Sequence, residues 1–206
     1  MKKTIEVEQR GPLSKQQFLK LNTFFRKNAV FKSYKERILI DYSTFLPGEG
    51  IKDRKKDIRL RVTNRVPEIM IKFGGWGGSE NRRELSLISK KGEFDKLVQI
   101  FGAIGLVKGA LVVTKTNAYK YQGIEFAVVD VSGKKYIFEA EIMMKDKKNI
   151  ETARKKIESV IKELGLTIYT NDGWYQYIEE INKKNISEIF EFKNYKDGYF
   201  KKKYKL

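Results

Sequence analysis

The sequence predicts an α+β protein whose centre is a closed antiparallel β-barrel tunnel of about eight strands, with helices packed outside it. Three observations predict this fold class. Several segments alternate between apolar and charged residues, which indicates strands with one face in a core. Their charged faces carry cations and carboxylates at alternate positions, and an enclosed charged interior explains this better than a solvated surface does. Helical periodicities occur between the groups of strands and supply a cover for the apolar face.

Five strands and one helix are predicted in the first half of the chain. The first strand begins at Ile5 and ends at Gly11-Pro12, and the next helix begins at Ser14, with Gln17 in the capping-box position. The other strands are predicted at residues 38–42, 57–62, 68–73 and 82–88. Turns are predicted at residues 47–50 and 74–78. The second of these is rich in glycine but lacks the P-loop sequence, so it is predicted to be a hairpin tip that carries Trp76.

Three strands and three helices are predicted in the second half. The helices are expected at residues 93–101, at residues 149–164 and in a short segment around Trp174. The strands are expected at residues 110–116, 124–131 and 136–143, the last two joined by a turn at residues 132–135. We expect residues 1–190 to form a single domain and the lysine-rich residues 191–206 to form a solvated basic tail.

The composition excludes several kinds of active site. The 206 residues include neither Cys nor His. This excludes a disulfide, a Cys nucleophile, a zinc site built from Cys and His, and a Ser-His-Asp triad. Catalysis must therefore come from carboxylates, Lys, Arg or hydroxyl groups, together with a metal that is bound through oxygen.

The charge of the chain predicts a polyanionic partner. Lys and Arg number 43 against 26 Asp and Glu, which gives a net charge of +17. Such an excess suits a phosphate-rich small molecule, a nucleic acid or an anionic membrane surface. The longest apolar run, residues 101–113, is interrupted by Lys108 and is too short to cross a bilayer. We therefore expect a cytoplasmic protein without a membrane partner.

Paired carboxylates on two predicted strands form the candidate metal site. Glu6 and Glu8 share one strand face, with Cα atoms about 6.5–7 Å apart, and Glu139 and Glu141 repeat this arrangement. Asp130, at the end of the preceding strand, adds a fifth carboxylate. Carboxylates this close repel each other unless a cation lies between them. Their hard oxygen atoms suit Mg²⁺ or Mn²⁺.

Basic residues on the charged faces of the strands form the candidate phosphate site. Guanidinium groups match pairs of phosphate oxygens, so several of them converging in one tunnel would hold a polyphosphate. Arg59 and Arg61 share a strand face, and single cations follow on later strands. The candidate residues are Arg10, Arg59, Arg61, Lys72, Arg82 and Lys115. For each charged residue taken alone, the alternative is a salt bridge inside the barrel.

In chain order, these residues resemble the CYTH family of triphosphate tunnel metalloenzymes, which includes class IV adenylyl cyclases, thiamine triphosphatases and inorganic triphosphatases. The resemblance covers roughly residues 1–164. It rests on E-x-E-x-[K/R] from Glu6, the pair Arg59 and Arg61, Lys72, R-x-E from Arg82, Lys115, Asp130, and E-x-E from Glu139. It implies a tunnel in which the basic residues bind a triphosphate and in which Glu6, Glu8 and Arg10 act in catalysis. The implied metal ligands are Glu6, Glu8, Glu139 and Glu141, with Asp130 as a helper.

Three positions depart from the pattern of the family. Arg10 replaces the usual lysine, and arginine is too basic to accept a proton. Ser86 stands where a second glutamate often follows R-x-E, and Asn117 stands where a K-x-R pair would have its arginine. The metal half of the pattern is intact, whereas the phosphate half lacks at least one cation.

The expected function is that of a divalent-metal-dependent triphosphatase. Its substrate would be inorganic triphosphate, thiamine triphosphate or a nucleoside triphosphate, hydrolysed at a phosphoanhydride bond. One alternative is a class IV-type adenylyl cyclase that makes cyclic AMP and pyrophosphate from ATP. A second alternative is a non-catalytic binder of polyphosphate, nucleotide or RNA. A nucleic acid is the less favoured partner, and a homodimer is compatible with barrels of this kind.

Overall fold

The chain adopts a mixed α/β fold in a computed structural model. The structure describes residues 5–48, 51–52, 54–73, 83–144, 149–183 and 186–206. Part of the predicted turn at residues 47–50, the glycine-rich turn at residues 74–78 with Trp76, and Arg82 lie outside the described residues.

Nine strands and five helices occur in the described part of the chain. The strands are β1 (Ile5–Leu13), β2 (Val30–Asp41), β3 (Lys56–Thr63), β4 (Val66–Phe73), β5 (Arg83–Ile88), β6 (Lys108–Tyr121), β7 (Ile124–Val131), β8 (Lys135–Met144) and β9 (Glu188–Glu191). The helices are α1 (Lys15–Asn28), α2 (Phe94–Ala103), α3 (Ile150–Glu163), α4 (Asn171–Ile181) and α5 (Tyr199–Tyr204). None of these helices combines the length and the apolarity that a membrane span requires.

The strands form one large antiparallel sheet, which confirms the predicted class of fold. Their order is β1-β8-β7-β6-β2-β3-β4-β5, and β9 pairs with β6. Among the described residues the hydrogen-bonded ladder has two ends, at β1 and at β5. The sheet is therefore not closed there, and the structure does not show the predicted barrel.

The chain divides into two compact units, of which the first comprises Met1–Lys35 and Thr114–Trp174. In this unit, α1 and α3 pack on one face of the sheet, because alternate residues of β1, β7 and β8 are apolar. The predicted capping box of α1 is present: Ser14 Oγ accepts from the Gln17 amide at 3.1 Å, and Gln17 Oε1 accepts from the Ser14 amide at 2.9 Å. The core is formed by Val7, Leu21, Phe25, Phe126, Val128, Phe138, Ala140, Ile157 and Ile161, among others.

The second unit comprises Glu36–Val113 and Tyr175–Leu206. Its core contains Leu60 and Val62 of β3, which pack with Phe94, Val98 and Phe101 of α2. Residues 191–206, for which a solvated tail is predicted, form the end of β9, a 3₁₀ turn at Phe192–Asn194 and α5. Their aromatic side chains explain this order, because Phe200 is fully buried in the same core while the neighbouring lysines face solvent.

Candidate functional site

An acidic face in the first unit is built from alternate residues of two neighbouring strands. On β1, Glu6, Glu8 and Arg10 lie on the face opposite the buried Val7. In the antiparallel pairing of β1 with β8, Glu8 lies opposite Glu141 and Arg10 lies opposite Glu139. Residues directly opposite each other in such a pair point to the same side, with Cβ atoms about 4.5–5.5 Å apart. The structure therefore brings the four predicted glutamates to one face.

A fifth carboxylate on this face was not predicted from the sequence. Glu125 of β7 lies directly opposite Glu141, so Glu141 has a glutamate on each side of it across the sheet, Glu8 on β1 and Glu125 on β7. Glu125 has no charged neighbour two residues away, so no paired motif marks it. The turn after Val131 could have predicted this position, because counting back from the turn along both strands places Glu125 opposite Glu141.

The acidic face raises the pKa of Glu141 to about 8. Burial is the main cause, followed by a hydrogen bond with Glu6 and by repulsion from Glu6, Glu125 and Glu8. At neutral pH the Glu141 carboxyl group is therefore largely protonated. Within the described parts of the chain, no three Asp or Glu side chains are already close enough together to hold a metal ion. Their hard oxygen donors, their shared face and their mutual repulsion nevertheless fit a divalent cation in chemical type.

Arg10 is held at the edge of the acidic face by two contacts. Its guanidinium forms an ion pair with Glu8, and its Cζ atom lies 4.2 Å from the centre of the Trp174 ring. The backbone keeps the two segments together, because the Tyr169 amide donates to the Arg10 carbonyl at 2.9 Å. The sequence predicts Trp174 only as a residue of a short helix, and its contact with Arg10 depends on the tertiary fold.

Two other predicted residues, Lys115 and Asp130, lie opposite each other on β6 and β7. Along the same face of β6, Asn117 Nδ2 donates to Asn22 Oδ1 of α1 at 3.0 Å. Lys115 and Asp130 are therefore on the α1 side of the sheet, away from the acidic face. Asp130 Oδ1 accepts from the Gly133 amide at 2.7 Å, which fixes the β7–β8 turn.

The predicted cations of the second unit share one face of β3 and β4. Arg59 and Arg61 alternate with the buried Leu60 and Val62. The register places Glu68 opposite Arg61 on the adjacent strand, and Lys72 is flanked by Asp57 and Glu84. The structure thus brings Arg59, Arg61 and Lys72 to one face. Arg82 lies outside the described residues.

Each of these three cations has a carboxylate partner. Arg61 donates to both oxygens of Glu68, at 2.5 and 2.9 Å, and Lys72 Nζ lies 3.1 Å from Glu84. Arg59 contacts Asp41 at 3.0 Å and Asp57 at 3.2 Å. Hydrogen bonds from Arg61, and a weaker contribution from Ser86, hold the pKa of Glu68 below its usual range.

Arg54, which was not predicted from the sequence, is a buried member of this network of ion pairs. The Arg54 side chain is 1% exposed and donates to Asp57 Oδ1 at 2.9 Å and to Thr44 Oγ1 at 2.5 Å. Burial lowers the pKa of Arg54, and the charges of Asp41 and Asp57 oppose that shift. Ion pairs therefore orient the cationic face, and a phosphate that binds there must compete with carboxylates.

No protein-family model matches the chain, and no curated protein matches it. Solved structures do match it in fold. A protein from Pyrococcus horikoshii OT3 has 22% identity and a TM-score of 0.66, over 85% of this chain and 98% of that one. A conserved hypothetical protein from Pyrococcus furiosus has 25% identity and a TM-score of 0.59, over 80% of this chain and 94% of that one.

Two further structures of similar fold come from proteins described as candidate adenylyl cyclases. The one from Vibrio parahaemolyticus has 14% identity and a TM-score of 0.58, over 85% of this chain and 98% of that one. The one from Hippeastrum, reported to have a dominant triphosphatase activity, has 12% identity and a TM-score of 0.53, over 85% of this chain and 96% of that one. At such identities the likeness shows a shared fold.

Proposed function

We propose that this chain is a divalent-metal-dependent triphosphatase that hydrolyses a phosphoanhydride bond of a triphosphate substrate. The observation that carries the proposal is the acidic face of the first unit, where Glu141 lies between Glu8 and Glu125 across the sheet. A divalent cation would relieve the repulsion that contributes to the raised pKa of Glu141. The likeness in fold to candidate adenylyl cyclases and to a protein with triphosphatase activity supports the same class of substrate.

The metal would be Mg²⁺ or Mn²⁺, held by carboxylates of the acidic face. We propose the four predicted ligands, Glu6, Glu8, Glu139 and Glu141, and add Glu125 because of its place in the register. Such a cation, when bound, neutralises charge on the phosphates and makes a bound water more acidic. We leave Lys115 and Asp130 out of this site, because they lie on the other face of the sheet.

Arg10 would bind the substrate rather than act as a base. Glu8 and Trp174 fix its guanidinium beside the acidic face, where it can donate two hydrogen bonds to a terminal phosphate. Arginine keeps its proton at any physiological pH, so it cannot activate a water molecule. The glutamates are the groups on this face that can accept the proton of the attacking water.

In the second unit, we propose Arg59, Arg61 and Lys72, together with Arg82, as phosphate-binding residues. The three that the structure describes already have carboxylate partners, so a monophosphate would gain little by displacing those partners. A ligand with several phosphates can replace several carboxylates at once. The ion pairs thus favour triphosphates over monophosphates.

Product analysis with purified protein tests the proposal. Inorganic triphosphate, thiamine triphosphate and ATP would each be incubated with Mg²⁺ or Mn²⁺, and a parallel sample would contain EDTA. We expect metal-dependent release of phosphate and a loss of at least about a hundredfold in Glu139→Gln and Glu141→Gln. The matched control is Glu158→Gln, which removes an exposed carboxylate of α3 in the same unit. Turnover that survives EDTA and both variants would refute the proposal.

The same experiment separates the two alternatives. Cyclic AMP and pyrophosphate formed from ATP would identify an adenylyl cyclase, the alternative that the fold of two neighbours favours. Tight binding of triphosphate without any product would identify a binding protein. In that outcome, the Arg10→Lys variant would carry the lysine that is usual in the CYTH family. Its activity tests whether arginine at this position abolishes hydrolysis of the triphosphate.

A further inference from the structure

A second concentration of charge lies in the first unit, away from the acidic face. Residues 11–35 contain no Asp or Glu, although the chain has 26 of them in 206 residues and a stretch of this length would hold about three. The same stretch contains six cations, namely Lys15, Lys20, Arg26, Lys27, Lys32 and Lys35. It comprises the end of β1, all of α1 and the first half of β2.

The structure leaves these cations uncompensated. All of them except the half-buried Lys35 are exposed, because α1 turns Leu21 and Phe25 into the core and its other residues outward. None of the six forms an ion pair with a carboxylate in the described residues. This contrasts with Arg59, Arg61 and Lys72, each of which has a carboxylate partner. The exposed cations of α1, together with Phe31 at the start of β2, form what we call the α1–β2 basic surface, which therefore presents net positive charge.

Apolar and aromatic side chains in the same stretch of the chain are also exposed, and those of β2 alternate between the two faces of the strand. Leu19 is 56% exposed, Val30 66%, Phe31 56% and Tyr34 43%. Phe31 meets Tyr119 edge-to-face with ring centres 5.7 Å apart, so the contact steadies its ring and leaves more than half of the side chain exposed. Phe31 therefore offers an exposed ring on the side of the sheet that carries the cationic helix, where a base can stack while its phosphates contact cations.

The pattern favours a nucleic acid over a membrane. A helix that lies in a bilayer surface must insert its apolar side, but the apolar side of α1 is occupied by the core. The outward face of the helix is centred on Gln16, Lys20, Thr23 and Lys27, none of which is apolar. Phosphates along a strand match such a face, and the exposed ring of Phe31 can stack only on a base that is not already paired.

We propose that the α1–β2 basic surface binds single-stranded nucleic acid, independently of the acidic face. Lys115 is exposed on the same side of β6, where Asp130 of β7 lies directly opposite it. The binding combines contacts of the cations with the sugar-phosphate backbone and stacking of a base on Phe31.

Fluorescence anisotropy with a labelled oligouridine of about 20 nucleotides tests the proposal. EDTA and an excess of inorganic triphosphate in the buffer would keep the acidic face from contributing. The variant K15Q/K20Q/R26Q/K27Q is compared with K196Q/K201Q/K202Q/K205Q, which removes four exposed lysines near the C-terminus and changes the net charge equally. We expect the first variant to weaken binding by at least about thirtyfold and to reduce the salt slope by about 3, and the second to have less than about a threefold effect.

A second variant tests stacking without a change of charge. Phe31→Ala should weaken binding by about 5–100-fold, because a base loses its ring partner. The thermal unfolding of each variant would be measured to show that it is folded. Equal losses in the two quadruple variants would overturn the proposal in favour of non-specific attraction. Equal affinity for a duplex would overturn the single-strand assignment. Binding to phosphatidylserine vesicles but not to oligouridine would identify a membrane surface instead.

Discussion

Replacing Glu141 with glutamine should stabilise the metal-free protein at alkaline pH and remove its response to divalent cations. The pKa of Glu141 is about 8 in the folded protein, against an ordinary value of 4.5. Between these two pH values the folded protein binds more protons than the unfolded chain does. The contribution of this group to stability is therefore fully present below about pH 4.5 and is lost as the pH rises through about 8. A glutamine side chain cannot ionise, so the Glu141→Gln variant should lack this loss.

The size of the effect follows from the shift and from the exposure of the side chain. A rise of the pKa from 4.5 to about 8 corresponds to at most about 5 kcal/mol. Glu141 is only half-buried, so solvent screening reduces this to about 1–2 kcal/mol. For a chain of this length, that free energy shifts the midpoint of thermal unfolding by about 3–6 °C.

The assay is thermal unfolding followed by circular dichroism, at about pH 6 and about pH 9, in EDTA. Because part of the loss already occurs below about pH 6, the wild-type midpoint should fall by about 2–4 °C more than the Glu141→Gln midpoint between these two pH values. About 10 mM Mg²⁺ should then restore the wild type at alkaline pH, because the cation binds only the folded state. The variant, which lacks one carboxylate, should gain much less. Glu158→Gln, in an exposed position of α3, should behave as the wild type does.

Two results would refute this reasoning. If the wild type and Glu141→Gln lost stability equally on going to alkaline pH, Glu141 would not carry the raised pKa. If Mg²⁺ stabilised both proteins equally, its binding site would not include Glu141. The first result would leave the proposed enzymatic activity standing, whereas the second would remove the metal site on which that activity depends.

Two packing predictions concern residues that hold the elements together. In Gly11→Ala, the added Cβ would lie 1.8 Å from the Thr167 carbonyl oxygen, so we expect a loss of about 3 kcal/mol or more in urea unfolding. Gly173→Ala, whose nearest neighbours are 3.2 Å or more away, should change stability by less than about 1 kcal/mol. In Asp95→Asn, weakening of three hydrogen bonds to the C-terminal segment should cost about 2 kcal/mol and expose that segment to protease. Asp197→Asn, which weakens one exposed hydrogen bond, is the control.

Signals that act within a few residues of the chain were sufficient to predict most elements of the fold. The capping box at Ser14 and Gln17 predicts the start of α1, because both hydrogen bonds form within one turn of the helix. The alternation of apolar and charged residues predicts the strands, because each strand covers a core with one face only. The same alternation does not give the ends of strands, and β2 begins at Val30 rather than at residue 38.

The membership of the acidic face depends on register, which a list of charged residues in chain order does not contain. Glu125 lies on that face because it is opposite Glu141, whereas Asp130 does not because it is opposite Tyr136. A shift of one residue in the pairing would exchange these two positions between the faces. The turn at Ser132 and Gly133 sets the register, so the assignment requires counting from that turn.

The lysines of the C-terminal segment suggest a solvated tail, whereas the segment is folded. Lys201, Lys202 and Lys203 give residues 191–206 the composition of a solvated tail. Phe200 lies next to them, and it is fully buried against Phe94 with ring centres 5.0 Å apart. A single well-placed aromatic side chain contributes more to docking than neighbouring charges oppose, because those charges can remain in water.

The net charge of +17 does not by itself predict what this protein binds, because its charged residues lie in three different electrostatic environments. The acidic face, for which we propose a divalent metal, has more carboxylates than cations. The face of β3 and β4 is close to neutral, since Arg54, Arg59, Arg61 and Lys72 are paired with Asp41, Asp57, Glu68 and Glu84. The α1–β2 basic surface has cations alone. Salt screens exposed charges much more than half-buried pairs, so ionic strength should weaken binding of oligouridine steeply and binding of triphosphate in the second unit only slightly.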